Sequence, residues 1–203
     1  MTVDTHQPIT RTEVVRALLV GVTTAVLYLL LVQDRMPGDA AGLVANMSRA
    51  VEGEGPATFW YHLLYAWSAR GIEQLTSFLT VRSQLELLSA LAAGAVVPLA
   101  YLALRRLDLG RLAAGGATAV LVLSPAMTTH ATIIEVHGFQ LATGLVGLVA
   151  VARAAHMGLA MLALTGLFAG LVVSLGHQTG PLLFPGLVLD NGPRLAGNHT
   201  TGA

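Results

Sequence analysis

Long apolar runs alternate with short polar segments along most of this 203-residue chain. Residues 14–32 form the first run, and a helix needs about 20 apolar residues to cross a bilayer. Only Arg16 interrupts this run, near its start, where a long arginine side chain reaches the interface. Further apolar runs cover residues 87–104, 112–123, 141–152 and 157–175. The pattern predicts an all-α, polytopic integral membrane protein.

A last apolar run, residues 180–189, carries two prolines and is shorter than one crossing. This pattern is typical of a broken or re-entrant helix, so the predicted number of transmembrane helices is five or six. Residues 14–190 are predicted to form the transmembrane domain. The polar tail at residues 191–203 is predicted to be disordered.

One long polar region, residues 33–82, separates the first two predicted spans. Asp39 precedes a helix-forming run and is predicted to be its N-cap. The apolar positions of that run fall on one helical face, at Leu43, Val44, Met47 and Val51. A second amphipathic run clusters five aromatic residues: Phe59, Trp60, Tyr61, Tyr65 and Trp67. Because Trp and Tyr favour the membrane–water interface, we predict an amphipathic outer loop whose helices lie on the membrane.

Composition narrows the class of protein. Hydrophobic residues make up 54% of the chain and charged residues 11%, whereas soluble domains carry about 25% charged residues. The formal net charge is zero, which gives no indication of a nucleic-acid partner. The sequence has no cysteine and all eleven basic residues are arginines, which excludes thiolate chemistry and Schiff-base or P-loop lysines. Catalysis would therefore use carboxylates, histidines, arginines or hydroxyls.

The arginines predict an orientation. If every apolar run crosses the membrane, seven of them fall on one side: Arg11, Arg16, Arg105, Arg106, Arg111, Arg153 and Arg194. The positive-inside rule makes that side cytoplasmic, together with residues 1–13. The outer loop, residues 124–137 and His177 then share the outer face of a plasma (inner) membrane.

Residues 124–140 hold the strongest candidates for a functional site. Glu135 is flanked by isoleucines and a valine, and an ionisable group near the hydrocarbon costs roughly 2.5–3.5 kcal/mol, which makes it a functional candidate. His137 is two residues away, so the pair does not share a helix face or match a His-x-x-x-His metal motif. The alternative is a solvated loop, in which His130 would also lie.

Three further polar residues are candidates for binding. His177 and Gln178 interrupt an apolar run beside glycines, and such a break commonly lines a cavity. His62 lies in the aromatic run, where an ordinary interfacial role is the alternative.

Three segments resemble the GT-C glycosyltransferases, especially the protein-mannosyltransferase-like membrane proteins. They are GDAAGLVANMSRAV followed by FWYHLLY, then SPAMTTHATIIEVHGFQLA, then SLGHQTGPLLFPGLVL. In that family a first transmembrane helix precedes a long outer loop with an acidic residue near its start. The resemblance implies transfer of a sugar from a polyprenyl-phosphate donor to an acceptor on the outer face.

The resemblance also implies roles for individual residues. Asp39 or Asp34 would be the catalytic carboxylate that deprotonates or orients the acceptor hydroxyl. Glu135, His137 and His177 would place the donor phosphate or a divalent metal ion. His62 falls where relatives often carry a His-Pro pair.

Other interpretations stay open. Members of the family are more than twice as long, so the resemblance covers only their N-terminal part and this chain is expected to be a truncated or minimal relative. A non-catalytic membrane scaffold or lipid-binding partner protein is the main alternative, and a partner membrane chain would then complete a site. Asp39 as a simple N-cap and Asp34 as a solvated carboxylate are the ordinary interpretations of those residues.

Overall fold

The computed structural model describes residues 8–34, 36, 39–54, 62–154 and 157–176. These residues form eight α-helices and no strands, which confirms the prediction of an all-α chain for this part of it. The helices are α1 (Arg11–Leu30), α2 (Asp39–Val51), α3 (Leu63–Leu75), α4 (Val81–Arg106), α5 (Arg111–Val122), α6 (Pro125–Thr132), α7 (His137–Ala154) and α8 (Leu159–Gly176).

The start of α1 is fixed by a reciprocal capping box. The Thr10 hydroxyl accepts the Glu13 N–H, and the Glu13 carboxylate accepts the Thr10 N–H at 3.0 Å. Downstream, α1 buries a stripe of mostly small residues at helical spacing, namely Ala17, Gly21, Ala25 and Tyr28. Small residues let helix backbones approach closely, and this stripe packs against α4.

Helix α4 is the centre of the bundle. It packs against α1, α7, α5, α6, α3 and α2, and fourteen of its 26 residues are buried. Pro98 lies in its interior and cannot donate to the carbonyl of Gly94, one turn earlier. That carbonyl faces Gly21 of α1, because a Cβ built on Gly21 would lie 2.8 Å from the Gly94 oxygen.

Two groups of buried side chains surround α4. The central core joins α1, the middle of α4, α5, α6 and α7; it consists of Tyr28, Ala90, Ala93, Val96, Val97, Ala100, Val122, Met127, Ala131 and Ala142. The loop-end core joins α2, α3, the start of α4 and the connector before α7; it consists of Ala40, Leu43, Met47, Tyr65, Ala66, Ala69, Leu85, Leu88, Ile134 and Val136. Helices α2 and α3 therefore pack onto the bundle.

An ionic cluster closes the opposite end of the bundle. Glu13 accepts hydrogen bonds from the Tyr101 hydroxyl at 2.8 Å, from Arg105 Nε at 3.3 Å and from Arg111 Nη2 at 3.2 Å. The Arg105 side chain is only 2% exposed. The start of α1, the end of α4 and the start of α5 thus meet at what we call the arginine end, as the arginine pattern predicts for Arg105 and Arg111.

The predicted five or six spans are not supported. Among the described residues, only α1 and α4 are long and apolar enough to cross a membrane, and α5 with α6 makes a third if this pair, bent by 57°, is one span. Helix α7 carries His137, Gln140 and Arg153 within 18 residues. The apolar stretch of α8 is short, at Leu159–Val172. Residues 180–189 lie outside the described residues.

The region predicted to be an outer loop differs from prediction in three details. Asp39 is the first residue of α2 and not its N-cap, and position 38 lies outside the described residues. Leu43 and Met47 are buried on the predicted face, whereas Val51 is 43% exposed. Tyr65 is fully buried instead of lying at an interface, because α3 packs onto α4. Residues 59–61 of the aromatic run lie outside the described residues.

Candidate functional site

Residues 124–140 form a helix, a short connector and the start of another helix. The Ser124 hydroxyl accepts the Met127 N–H at 3.2 Å and Pro125 is the first residue of α6, a favourable pair of start signals. Helix α6 ends at Thr132, and α7 begins at His137. The prediction that His130 lies in a loop is therefore wrong.

The connector at residues 133–136 is held against the bundle. The side chains of Ile133, Ile134 and Val136 are buried. Ser89, a buried residue of α4, accepts the Glu135 N–H at 3.3 Å and donates to the Glu135 carbonyl at 3.4 Å. The backbone of Glu135 is thus fixed to α4, while its carboxylate remains 20% exposed.

Three side chains converge beside this connector. Glu135 Oε1 accepts the Val136 N–H at 2.8 Å and lies 2.8 Å from His137 Nδ1. The His130 ring stacks on the His137 ring, with centroids 4.8 Å apart and planes at 22°. One ligand atom from each residue lies within 4.8 Å of the others. We call these three residues the His–Glu cluster, and the end of the bundle that holds them the histidine end.

The sequence did not predict that Glu135 pairs with His137, because residues two apart do not share a helix face. Glu135 and His137 were candidates and lie in contact, although two residues apart, because the connector turns the chain between α6 and α7. His130 joins them from the neighbouring helix. The only sequence signal for it was its place in the same short polar segment.

Tyr65 lies behind the cluster and was not predicted to be part of it. Burial raises the pKa of its hydroxyl above the ordinary value, and the charge of Glu135 acts in the same direction. The hydroxyl also interacts with Ser89. Tyr65 is therefore a neutral phenol next to the residue that fixes Glu135.

The other predicted residues lie outside the cluster. Asp34 is fully exposed, and Arg82 Nη2 lies 3.6 Å away, while Arg82 Nε pairs with Glu86 at 2.7 Å. Asp39 is exposed at the start of α2, next to Ala40 of the loop-end core.

That core also contains Ile134 and Val136, which puts Asp39 and Glu135 at the same end of the bundle. His62 precedes α3. His177 and Gln178 lie outside the described residues.

The side chains of the His–Glu cluster can act as proton donors, proton acceptors or metal ligands. An imidazole N–H can donate to an anion, and a carboxylate or an imidazole can accept a proton. His130 Nδ1 is buried and has no hydrogen-bond partner within the described part of the chain. Two imidazoles and a carboxylate are also side chains that bind divalent metal ions.

A separate cavity of about 520 Å³ lies between α1, α4 and α5, towards the arginine end. Most of its wall is apolar, including Ala17, Val20, Val97, Ala119, Val122 and Leu123. Arg16 and Arg111 line it together with Glu13. The cavity therefore combines an apolar wall with charged groups near one end.

No protein-family model, curated protein or solved structure matches the chain.

Proposed function

We propose that the chain is a multi-pass protein of the plasma membrane that binds a polyprenyl-phosphate-linked sugar at its histidine end and transfers the sugar to an acceptor there, as GT-C-like enzymes do. The observation that carries the proposal is the convergence of His130, Glu135 and His137 at the end of the bundle where Asp39 also lies. The arginines of the Glu13 cluster are at the opposite end.

Exposed apolar side chains support placement in a membrane. They cover the outward faces of helices that the core leaves unburied, and they include Leu18, Leu19, Val22, Leu27, Leu112, Val120, Leu164, Leu167 and Phe168. Apolar patches of this extent on a soluble monomer are rare, whereas lipid tails solvate them. Helices α1 and α4 are also long enough to cross the hydrocarbon.

The side chains divide into two roles in this proposal. His137, held by Glu135 at 2.8 Å, donates to the donor phosphate when protonated. Asp39 is a solvated carboxylate at the same end and acts as the base that takes the acceptor proton. The acceptor oxygen then bonds to the anomeric carbon of the sugar, the bond from that carbon to the phosphate oxygen breaks, and polyprenyl phosphate leaves. Glu135 keeps His137 oriented, since its own backbone is fixed by Ser89.

Donor binding tests the first role. Binding of a polyprenyl-phosphate mannose to the purified full chain in nanodiscs should be saturable, and Glu135→Gln or His137→Asn should weaken it about tenfold, because a charge-assisted contact of about 1.4 kcal/mol is lost. Glu86→Gln is the matched control, since Glu86 is a carboxylate at the same end that pairs with Arg82 instead. Equal affinity in all four proteins, or no saturable binding, would refute the donor site.

Release of labelled sugar from the donor tests the second role. Asp39→Asn should retain donor binding and lose release, because only the base is removed. Release at the wild-type rate by Asp39→Asn would exclude Asp39 as the base.

A second candidate is a non-catalytic, lipid-binding membrane protein, and the cavity near the arginine end favours it. An acyl chain fits an apolar cavity of about 520 Å³, and Arg16 and Arg111 complement a phosphate headgroup. Gly115 lines this cavity and has open space where its Cβ would be, so Gly115→Leu fills the cavity without a backbone clash. Native mass spectrometry should show an anionic phospholipid on the wild type and its loss from Gly115→Leu; equal lipid occupancy in both would count against this candidate.

A further inference from the structure

We propose that His130, Glu135 and His137 bind a divalent transition-metal ion of the zinc type. The three residues come from α6, the connector and the start of α7, and one ligand atom of each lies within 4.8 Å of the others. The inference stands on the geometry of these side chains and goes beyond the proposed transfer reaction. With an ion bound, His137 is a metal ligand, and the ion takes the place of a protonated His137 in contacting the donor phosphate.

The ligand types select the ion. Zinc binds imidazole nitrogen and carboxylate oxygen, and two histidines with one glutamate form one of its known catalytic sets. Calcium and magnesium prefer oxygen ligands throughout, so a site with two imidazoles does not suit them. Three protein ligands leave a fourth tetrahedral position open to water or to a phosphate oxygen.

The distances fit such an ion once the two stacked imidazole rings turn towards it. Zinc bonds of about 2.0–2.1 Å in a tetrahedron place ligand atoms about 3.4 Å apart. The separation between Glu135 Oε1 and His137 Nδ1 is 2.8 Å, and the widest separation in the cluster is 4.8 Å. The required spacing lies between these two values, and the stacked His130 and His137 rings must rotate so that one nitrogen of each points at the ion.

Residues around the cluster hold Glu135 in place and leave one nitrogen of His130 without a hydrogen-bond partner in the described ranges. Ser89 fixes the Glu135 backbone on both its N–H and its carbonyl, and the Val136 N–H orients the carboxylate. Hydrogen bonds of this kind orient metal ligands and tune their affinity. His130 has a buried Nδ1 with no hydrogen-bond partner in the described ranges, and a buried nitrogen in that state is costly unless something binds it.

An ion pair between His137 and Glu135, with His130 simply stacked on top, is the competing explanation. Metal titration distinguishes the two. The full chain is purified in detergent with an affinity tag that contains no histidine, and Zn²⁺ is titrated by calorimetry. The expected result is one ion per chain, bound about tenfold or more weakly in each of His130→Asn, Glu135→Gln and His137→Asn.

Two matched controls use residues outside the cluster. His62→Asn removes a histidine, and Glu86→Gln removes a carboxylate that pairs with Arg82. Both should bind Zn²⁺ as the wild type does. No binding by the wild type, or binding that is unchanged in the three cluster variants, would overturn the proposal.

Loss of Zn²⁺ binding could also result from a variant that fails to fold, so a further variant replaces one metal ligand by another. The chain has no cysteine, so His137→Cys introduces a single thiolate that can replace the imidazole. This variant should bind Co²⁺ and show a sulfur-to-cobalt charge-transfer band, whereas the wild type should show only the visible bands of cobalt with nitrogen and oxygen ligands. A His137→Cys protein of wild-type helix content with no charge-transfer band would refute the assignment of position 137 as a ligand.

Discussion

Gly21 and Gly94 mark the closest approach between α1 and α4. A Cβ on Gly21 would lie 2.8 Å from the Gly94 carbonyl oxygen, and a Cβ on Gly94 would lie 2.7 Å from the Ala25 Cβ. Pro98 leaves the Gly94 carbonyl without its intrahelical donor, and Gly21 is the residue against which that carbonyl packs. The contact thus pairs the two longest apolar helices at a point where neither tolerates a side chain.

Gly94→Ala should therefore destabilise the bundle. The added methyl group meets backbone and Ala25, neither of which can rotate away, and overpacking of this kind costs about 1–3 kcal/mol. Thermal unfolding in detergent measures the loss. Gly116→Ala is the control, because open space surrounds its Cβ position, and it should be neutral or slightly stabilising. Equal unfolding temperatures for the two variants would show that α1 and α4 are not this close.

Glu13→Ala should loosen the arginine end. The substitution removes the carboxylate that accepts from Tyr101, Arg105 and Arg111, and hydrogen bonds to charged groups contribute about 1.5–3 kcal/mol. Hydrogen exchange at the start of α1 should rise, since the capping box is lost as well.

Glu73→Ala is the comparison for this variant. It breaks a pair with Arg70 within one helix, a partly exposed contact of about 0–1 kcal/mol. If the two alanine variants unfold at the same temperature, the Glu13 cluster does not stabilise the bundle.

Ser89→Ala tests how Glu135 is positioned. Ser89 bonds both backbone groups of Glu135, and a buried donor left unsatisfied costs about 1–3 kcal/mol. Zn²⁺ affinity should fall about tenfold while helix content stays constant, as expected when an orienting contact is removed. Ser83→Ala, at a half-buried position in the first turn of the same helix, should change neither quantity. Wild-type affinity in Ser89→Ala would mean that the connector holds its shape without this contact.

Because the Tyr65 hydroxyl is buried, the free energy of unfolding should fall at alkaline pH. The folded-state pKa of Tyr65 is raised by burial, whereas an unfolded tyrosine ionises near pH 10. Because the unfolded chain releases this proton first, the contribution of Tyr65 to stability is complete below about pH 10 and declines as the pH rises further. Tyr65→Phe should flatten the decline, which is measured by unfolding at several pH values. A decline of the same steepness in Tyr65→Phe would assign it to other groups.

The sequence predicts the long helices well because their signal is local. The run at residues 14–32 overlaps α1, and the run at residues 87–104 lies within α4. The spacing within the aromatic run also indicates which residue is buried and which is exposed. Tyr65 and Trp67 are two residues apart, so a helix points them in nearly opposite directions, and only Trp67 remains exposed, at 60%.

The site is built by contacts between residues that are distant in the chain, so no local sequence pattern predicts it. Ser124 and Pro125 mark the start of a helix, but the 57° bend between α5 and α6 depends on tertiary contacts such as the Tyr28 hydroxyl, which donates to the Val122 carbonyl at 2.7 Å. His130 reaches His137 only through that bend and the connector after it. Ser89 lies 46 positions from Glu135 in the chain and had no distinguishing signal.

The contact between Ser89 and Glu135 sets how far along α4 the cluster lies from Arg105. Sixteen residues of α4 separate Ser89 from Arg105, which is about 24 Å along a helix. The hydrocarbon core of a bilayer is about 30 Å thick. In the membrane orientation that we propose, with Arg105 at one boundary, Glu135 would lie about 6 Å inside the other boundary, level with the upper acyl chains. A membrane-anchored reactant would then reach it by lateral diffusion within one leaflet, whereas a water-soluble reactant would have to enter from the aqueous phase.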